Sequence, residues 1–338
     1  MSRHDLRELR RRTGHPDQLY GTRMVRVVDG PGDGLRAIEV WNAAGLRLDV
    51  LVDRGFDVHR VEYRGRSLHW TGPPGMRSRF AYEPEGWGWL RSFHGGLLVT
   101  CGLEHVRLPI ERPTPEYYFP AREHQHFGLH GRVANEGGAV LARELLDDGD
   151  EPRLRLKGEV VQASLYGENL WLWREIEVPL FAPELRVNDV VSNRGFSPTH
   201  HELLYHINLG YPLVDAGTTV ELHGRGRPET MVVSEPRPGF VEQVTSHELA
   251  AGEDGLAVAV VRNPQLDLAL ELAYGAASLP HFYLWYMMGE GPFVIGLEPS
   301  SVGPQPDRDP ATMSTLAPGA SVRYQARFRV LDGQGARG

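Results

Sequence analysis

Through most of its length the sequence alternates apolar and polar residues with a period of two, the spacing that sends successive side chains to opposite faces of a strand. The stretch LRLDVLVDRGFDVHRVEYRG alternates through Leu46, Leu48, Val50 and Val52, then resumes at Val58 and Val61 before a turn at Arg64-Gly65. The pattern returns in PRLRLKGEVVQ, WLWREIEVPL and ELRVNDVVSN, and toward the C-terminus in LAVAVVRNP, LDLALELAY, HFYLWYMM, PFVIGLEP and SVRYQARFRVLDG. The 39 Gly and 25 Pro are spread along the chain, as turns between many short strands require. A helical reading is confined to Leu6–Arg12, while the apolar run Leu203–Ile207 fits helix or strand equally. Strands without intervening helices predict an all-β fold, with antiparallel sheets packed face to face in one large β-sandwich. Thr71–Pro84 and Arg225–Pro238 read as loops inside that unit, and no repeat of fixed period suggests a propeller. Residues 1–338 are therefore expected to form a single sandwich domain with a short N-terminal extension, about 1–20.

Composition narrows the partners. With 36 Lys and Arg against 44 Asp and Glu the formal net charge is −8, and 41% hydrophobic with 24% charged residues is the balance of a globular chain. Nucleic acid and anionic membrane both call for clustered positive charge, so neither is expected as a partner. Cys101 is the only cysteine, which excludes an intramolecular disulfide and a cysteine-based zinc site. The N-terminal MSRHDLRELRRRTGH lacks the apolar stretch of a secretion signal, and no apolar run is long enough to span a bilayer. A cytoplasmic protein is the simplest expectation, and a homo-oligomer is compatible with it.

Histidine draws attention to the middle of the chain. Of fifteen, His94, His105, His124, His126, His130, His200, His201 and His206 fall between positions 94 and 206. Imidazole suits proton transfer near neutral pH and also ligates metals. In EHQHFGLHGR, residues 123–132, an extended chain would project His124, His126 and His130 to one face, as a metal site requires, although such stretches often decorate a solvated surface instead. His130-Gly131-Arg132 reads better as a polar clamp, with Arg132 a fork for ligand oxygens. In SNRGFSPTHHELLYHINLGYP, residues 192–212, His201, His206 and Asn208 interrupt an apolar run. Burying all three without partners would be costly, so a ligand or an internal hydrogen-bond network must satisfy them. Glu298 closes the apolar run Phe293–Leu297 before a Pro-Ser turn, where partial burial would raise its pKa toward the range of a general base; the plainer reading is a carboxylate capping its own turn.

Weaker signals remain. The Gly pair of FHGGLLVTCG marks close backbone packing without a phosphate loop. Asp53-Arg54-Gly55-Phe56-Asp57 is a ligand turn or an internal ion pair. Trp87, Trp89, Trp171, Trp173, Trp285 and Tyr286 are core residues by default, of which one or two would suit stacking on a sugar. Cys101 reads as inert core.

Taken in order, Arg-Gly-Phe-Asp-Val, Tyr-Arg-Gly-Arg-Ser-Leu-His-Trp, Gly-Leu-His-Gly-Arg, Leu-Tyr-His-Ile-Asn-Leu-Gly-Tyr-Pro and Gly-Leu-Glu-Pro resemble the aldose 1-epimerase (galactose mutarotase-like) superfamily. The likeness runs from about Leu46 to Asp332 and is greatest to a poorly characterised bacterial branch of it. It implies an antiparallel super-sandwich whose concave face binds a sugar, and a cofactor-independent isomerase that interconverts anomers. On that resemblance His206 protonates the ring oxygen, Glu298 takes the anomeric hydroxyl proton, and His130 contacts the sugar near the ring oxygen. His94, His201, Asn208 and Arg132 are expected to hold the remaining hydroxyls. Phe-His-Gly-Gly stands where the Asn-Arg dipeptide of characterised mutarotases is expected. Two other expectations stay open: a carbohydrate-binding protein without turnover, and a metal-dependent sugar isomerase or lyase using His124, His126 and His130.

Overall fold

A computed structural model describes residues 6–115, 117, 124–147, 151–224, 228–304 and 314–333. After a short helix, α1 (Leu6–Arg10), come β1 (Gly21–Arg26), β2 (Arg36–Trp41), β3 (Leu46–Leu51), β4 (Asp57–Tyr63), β5 (Arg66–Ser67), β6 (Leu98–Leu103), β7 (Ile110–Arg112) and β8 (Gln125–Phe127). The middle of the chain forms β9 (Gly138–Leu146), β10 (Arg153–Ala163), β11 (Asn169–Pro179), β12 (Glu184–Asn193), β13 (Thr199–His200), β14 (Glu202–Leu209), β15 (Thr219–Leu222) and β16 (Glu229–Val232). The remainder is β17 (Gln243–His247), β18 (Leu256–Asn263), β19 (Leu268–Gly275), β20 (His281–Met288), β21 (Phe293–Ser300), β22 (Thr315–Leu316) and β23 (Ser321–Asp332).

Two large antiparallel sheets dominate, as the period of two requires. The first runs β1-β2-β3-β4-β6-β14-β21-β20-β17 with β5 beside β4, and the second β16-β15-β18-β19-β23-β12-β11-β10-β9. Neighbours in each sheet pair antiparallel. The fold is the galactose mutarotase-like β-sandwich that the resemblance implies.

Alternation decides what each sheet buries. Along β14, Leu203, Tyr205, Ile207 and Leu209 point into the core between the sheets, while Leu204 joins a second apolar cluster on the opposite face of the same sheet. β20 divides likewise, with Phe282, Leu284 and Met288 in the sandwich core and Tyr283 and Trp285 packed with the second cluster. β21 sends Ile295 and Leu297 inward and Val294 outward. The first sheet is thus apolar on both faces, and its outer face needs a cover. Loops carrying Trp70, Trp89, Phe93, Val106 and Leu129 supply it. The inner packing is close: at Gly158 of β10 an added Cβ would lie 2.4 Å from the Phe56 ring, so the second sheet meets that ring only through a glycine.

Several expectations are corrected or completed here. Leu203–Ile207 lies in β14 and is strand. The stretch 225–238 is not purely loop, because β16 forms within it; residues 225–227 lie outside the described residues. Thr71–Pro84 is loop with one 3-10 turn, Arg79–Ala81. Residues 1–5 of the N-terminal extension also lie outside the described residues, but Leu6 and Tyr20 join the sandwich core and Asp17 accepts a hydrogen bond from the Trp41 indole at 2.9 Å. Among the described residues no helix is long and apolar enough to cross a membrane.

Candidate active site

Three adjacent strands build the site by register. Leu204 pairs with Ser300 and Ile207 with Leu297, a register that sets His206 opposite Glu298. On the other side Tyr283 pairs with Glu298 and Trp285 with Gly296. Because partners across antiparallel strands share a face, His206, Glu298 and Tyr283 stand side by side under the covering loops. They line a cavity of about 630 Å³, together with His130 and Arg107 from the loops after β6 and β8. Its walls are aromatic, formed by Trp70, Trp89, Phe93 and Trp285.

His206 Nε2 lies 3.3 Å from Glu298 Oε1, and both side chains are buried. Burial pushes the Glu298 carboxyl up to about 8; the nearby Arg107 cation opposes the shift and Glu242 adds to it. Burial lowers His206 to about 4, with the Asn208 side chain pulling weakly the other way. At neutral pH the pair therefore holds one ionisable proton between a carboxyl and an imidazole in contact. Such a pair can take a proton from one ligand oxygen and deliver one to another.

Loops place the other members. His130 adopts φ 57° ahead of Gly131 at φ 67°, and its ring meets His206 edge-on at 5.5 Å and Trp89 at 4.8 Å. Gly131 is obligatory: an added Cβ would come within 2.4 Å of the Gly102 carbonyl and 2.5 Å of the His105 carbonyl. The close approach at this glycine is thus to the chain itself. Arg107 donates to the Tyr283 hydroxyl at 3.2 Å and to the Gly303 carbonyl at 2.9 Å, its guanidinium 4.9 Å from the Tyr283 ring centre.

Four expected ligand contacts lie elsewhere. Arg132 is tied to Glu168 and to Glu136 at 2.7 Å, so its fork holds the chain's own carboxylates. His94 is buried against His59 at 5.0 Å between ring centres, and burial together with the Arg54 charge keeps it neutral. His201 has both ring nitrogens engaged, donating from Nδ1 to the Leu103 carbonyl at 2.8 Å and accepting at Nε2 from the Tyr324 hydroxyl at 2.7 Å. Asn208 donates to the Gly96 carbonyl at 3.0 Å and the His206 carbonyl at 2.9 Å, which fastens β14 to the Gly95-Gly96 turn and fixes the backbone of the site histidine.

The histidine cluster does not converge either. His124 and His126 are exposed, His126 sits 3.4 Å from Glu111, and His130 faces the cavity. Glu123 lies outside the described residues. Among the described residues no group of three or more His, Cys, Asp or Glu is placed to hold a metal ion.

The turn Asp53–Asp57 proves internal. Arg54 donates to the Ala134, Arg77 and Ser92 carbonyls at 2.8–2.9 Å, pinning three of the loops around the site. Cys101 is buried, which drives its thiol pKa up and leaves it unreactive. Arg107, Tyr283, Glu242, Trp70 and Phe93 also line the cavity, and none of them belongs to the site residues that the sequence suggests. Trp70 and Phe93 lie inside the motifs Ser-Leu-His-Trp and Phe-His-Gly-Gly, which was the available signal; Arg107 and Glu242 carried none.

Residues 32–330 match the family model described as Domain of unknown function (DUF4432). The chain belongs to this family. Among solved structures, this DUF4432 chain is similar to a protein provisionally assigned as an aldose 1-epimerase from Klebsiella pneumoniae, with a TM-score of 0.78 and 20% identity over 94% of this chain and 89% of that one. It is also similar to a galactose 1-epimerase from Lactobacillus acidophilus, with a TM-score of 0.63 and 13% identity over 93% and 100% of the two chains. A galactose mutarotase-like protein from Clostridium acetobutylicum gives 0.62 and 12% over 94% and 100%. Likeness at these identities shows the fold alone. No curated protein sequence matches.

Proposed function

We propose that this chain is a cofactor-independent, aldose 1-epimerase-like enzyme that interconverts the anomers of a sugar, with Glu298 and His206 moving the protons. The observation that carries the reading is the 3.3 Å contact of these two buried groups on the floor of an aromatic-walled cavity. Opening a cyclic hemiacetal breaks the bond from C1 to the ring oxygen, removes the proton of the C1 hydroxyl and adds one to the ring oxygen. Glu298 as carboxylate accepts the first proton and protonated His206 donates the second. After the aldehyde turns, the ring recloses on its other face, and now the carboxylic acid gives a proton while neutral imidazole takes one. That second pair of protonation states is the one favoured by burial of the free site. Each turnover uses both states once, so no cofactor enters the balance. His130 and Arg107 line the same cavity and would supply donors to the ring oxygen and hydroxyls, and the Trp walls suit a sugar's C–H face.

Anomer exchange followed by saturation-transfer NMR tests the reading. Glu298→Gln and His206→Asn are each expected to slow exchange by ~10²-fold or more with the fold intact. Unchanged exchange in both variants overturns the assignment, and sugar binding without exchange by the unaltered protein points to a carbohydrate-binding role instead.

A further inference from the structure

The cavity is divided by chemistry along its depth. Its buried polar groups form one chain at the floor: His206 touches Glu298, Glu298 is paired across the strand with Tyr283, Tyr283 is stacked under Arg107, and the His130 ring stands against His206. Toward the opening the lining turns mostly apolar, the exposed Glu242, which accepts from the Trp285 indole at 2.9 Å, being the polar exception. Trp87, Leu90, Leu108 and Val244 line the same cavity yet are 57%, 49%, 56% and 56% exposed, with Pro73, Pro74 and Pro292 beside them. Scattered exposed hydrophobic residues need no explanation, but four of them around one opening do. A fully hydroxylated hexose would strip water from its far hydroxyls against these side chains without hydrogen bonds in return.

Charge limits the ligand further. Arg107 is the one Arg or Lys among the described lining residues, and its guanidinium already donates to the Tyr283 hydroxyl and the Gly303 carbonyl. Two carboxyl groups, Glu242 and Glu298, share the cavity with it. At neutral pH, with Glu298 holding its proton, the Arg107 cation is balanced by the Glu242 carboxylate, so a uronate or a sugar phosphate would find no cation in excess to meet its charge.

Resting on the anomer-exchange reading, we propose that the sugar taken by this site is neutral and apolar at the end remote from its anomeric carbon, either deoxygenated there or carrying an O-alkyl or O-aryl group. The hemiacetal end occupies the polar floor, where proton transfer happens, and the apolar end lies against Leu90, Leu108 and Val244. The same physics that makes a hydrophobic pocket prefer an added methylene by ~10-fold or more sets the expected size of the preference.

Two matched series test it: D-galactose, D-fucose, 6-O-benzyl-D-galactose and D-galacturonate, and the corresponding D-glucose set. Within either series the 6-deoxy and 6-O-benzyl sugars should exceed the parent hexose in kcat/KM for anomer exchange by ~10-fold, with the uronate lowest. A parent hexose or uronate that equals or exceeds its apolar counterparts overturns the proposal. Binding of the same sugars, read from quenching of Trp70, Trp87, Trp89 and Trp285, separates it from the reading it rests on. Tighter binding of the apolar sugars without exchange leaves the ligand class standing and defeats the enzyme; no preference in binding or exchange defeats the ligand class. Leu108→Ser and Val244→Ser, at half-exposed positions that do not threaten the fold, should each reduce the preference, and a preference undiminished in both overturns the placement of the apolar end.

Discussion

Glu298 and His206 carry opposite shifts from the same cause. Burial penalises a charged carboxylate and a charged imidazolium alike, so the acid rises to about 8 and the base falls to about 4. The pair thus takes up its first proton near the upper value and its second near the lower one. The one-proton state that anomer exchange uses is therefore populated from about 4 to about 8. We expect kcat/KM to climb as pH rises through about 4, to hold level, and to fall through about 8; the residual activity of Glu298→Gln should lack the alkaline limb. A profile without that limb in the unaltered protein would contradict the pairing. At this scale the sequence was partly legible. His206, Glu298 and His130 stand in motifs whose neighbours fix their strand or turn, and the structure brings all three to one cavity. His94, His201 and Arg132 look the same in sequence, but local pattern cannot say whether a polar side chain meets solvent or another part of the chain, and each meets the chain.

Between elements, the sheets are joined by charge as well as by apolar packing. Arg174 of β11 bonds Asp57 at the start of β4 at 2.6 Å and Asp189 of β12 at 2.6 and 2.8 Å, and the Tyr205 hydroxyl of β14 donates to Asp189 at 2.6 Å. All three charged side chains of this bridge are buried, and Tyr205 immediately precedes His206, so the strand that carries the site histidine is anchored to the opposite sheet. Arg174→Leu would strand two carboxylates in the core. Breaking a buried ion pair this way costs ~3–5 kcal/mol, readable as a shift of the urea midpoint. Its pH dependence has a definite sign. Burial already holds the Asp57 carboxyl above its ordinary range, and without its cation the native value rises further. A carboxyl with a raised native pKa favours the folded state while protonated and loses that contribution as pH rises through the native value, so the variant's deficit should be larger at pH 8 than at pH 5. A deficit below ~1 kcal/mol at both would show the bridge to be dispensable. The strands themselves are legible from alternation, and both ends of Asp53–Asp57 are ion-paired, Asp53 with Arg36 and Asp57 with Arg174. The partner of Asp57 is not legible, because nothing local to Asp57 points to Arg174, more than a hundred residues away.

For the whole molecule, strand order matters more than strand content. β23, near the C-terminus, lies in the interior of the second sheet, with Ser321–Arg329 paired to β12 on one side and Ala326–Asp332 paired to β19 on the other. β21 likewise sits between β14 and β20 in the first sheet. Periodicity reports that these segments are strands and cannot report such neighbours, since pairing across long sequence separations leaves no local trace. The consequence is that no cut in the chain separates two self-sufficient halves: residues from Leu6 to Val330 share one apolar cluster between the sheets. Ending the chain at Gly319 would remove Tyr324, Ala326, Phe328 and Val330 from that cluster and leave both β12 and β19 with an unpaired edge. We expect the full chain to unfold in one transition, with near- and far-ultraviolet circular dichroism coincident in urea, and the shortened chain to lose its near-ultraviolet signal before any denaturant is added. Two separated transitions in the full chain, or a native near-ultraviolet spectrum in the shortened one, would mean that the sheets fold independently and that the site, built wholly on the first sheet and its covering loops, does not depend on the second.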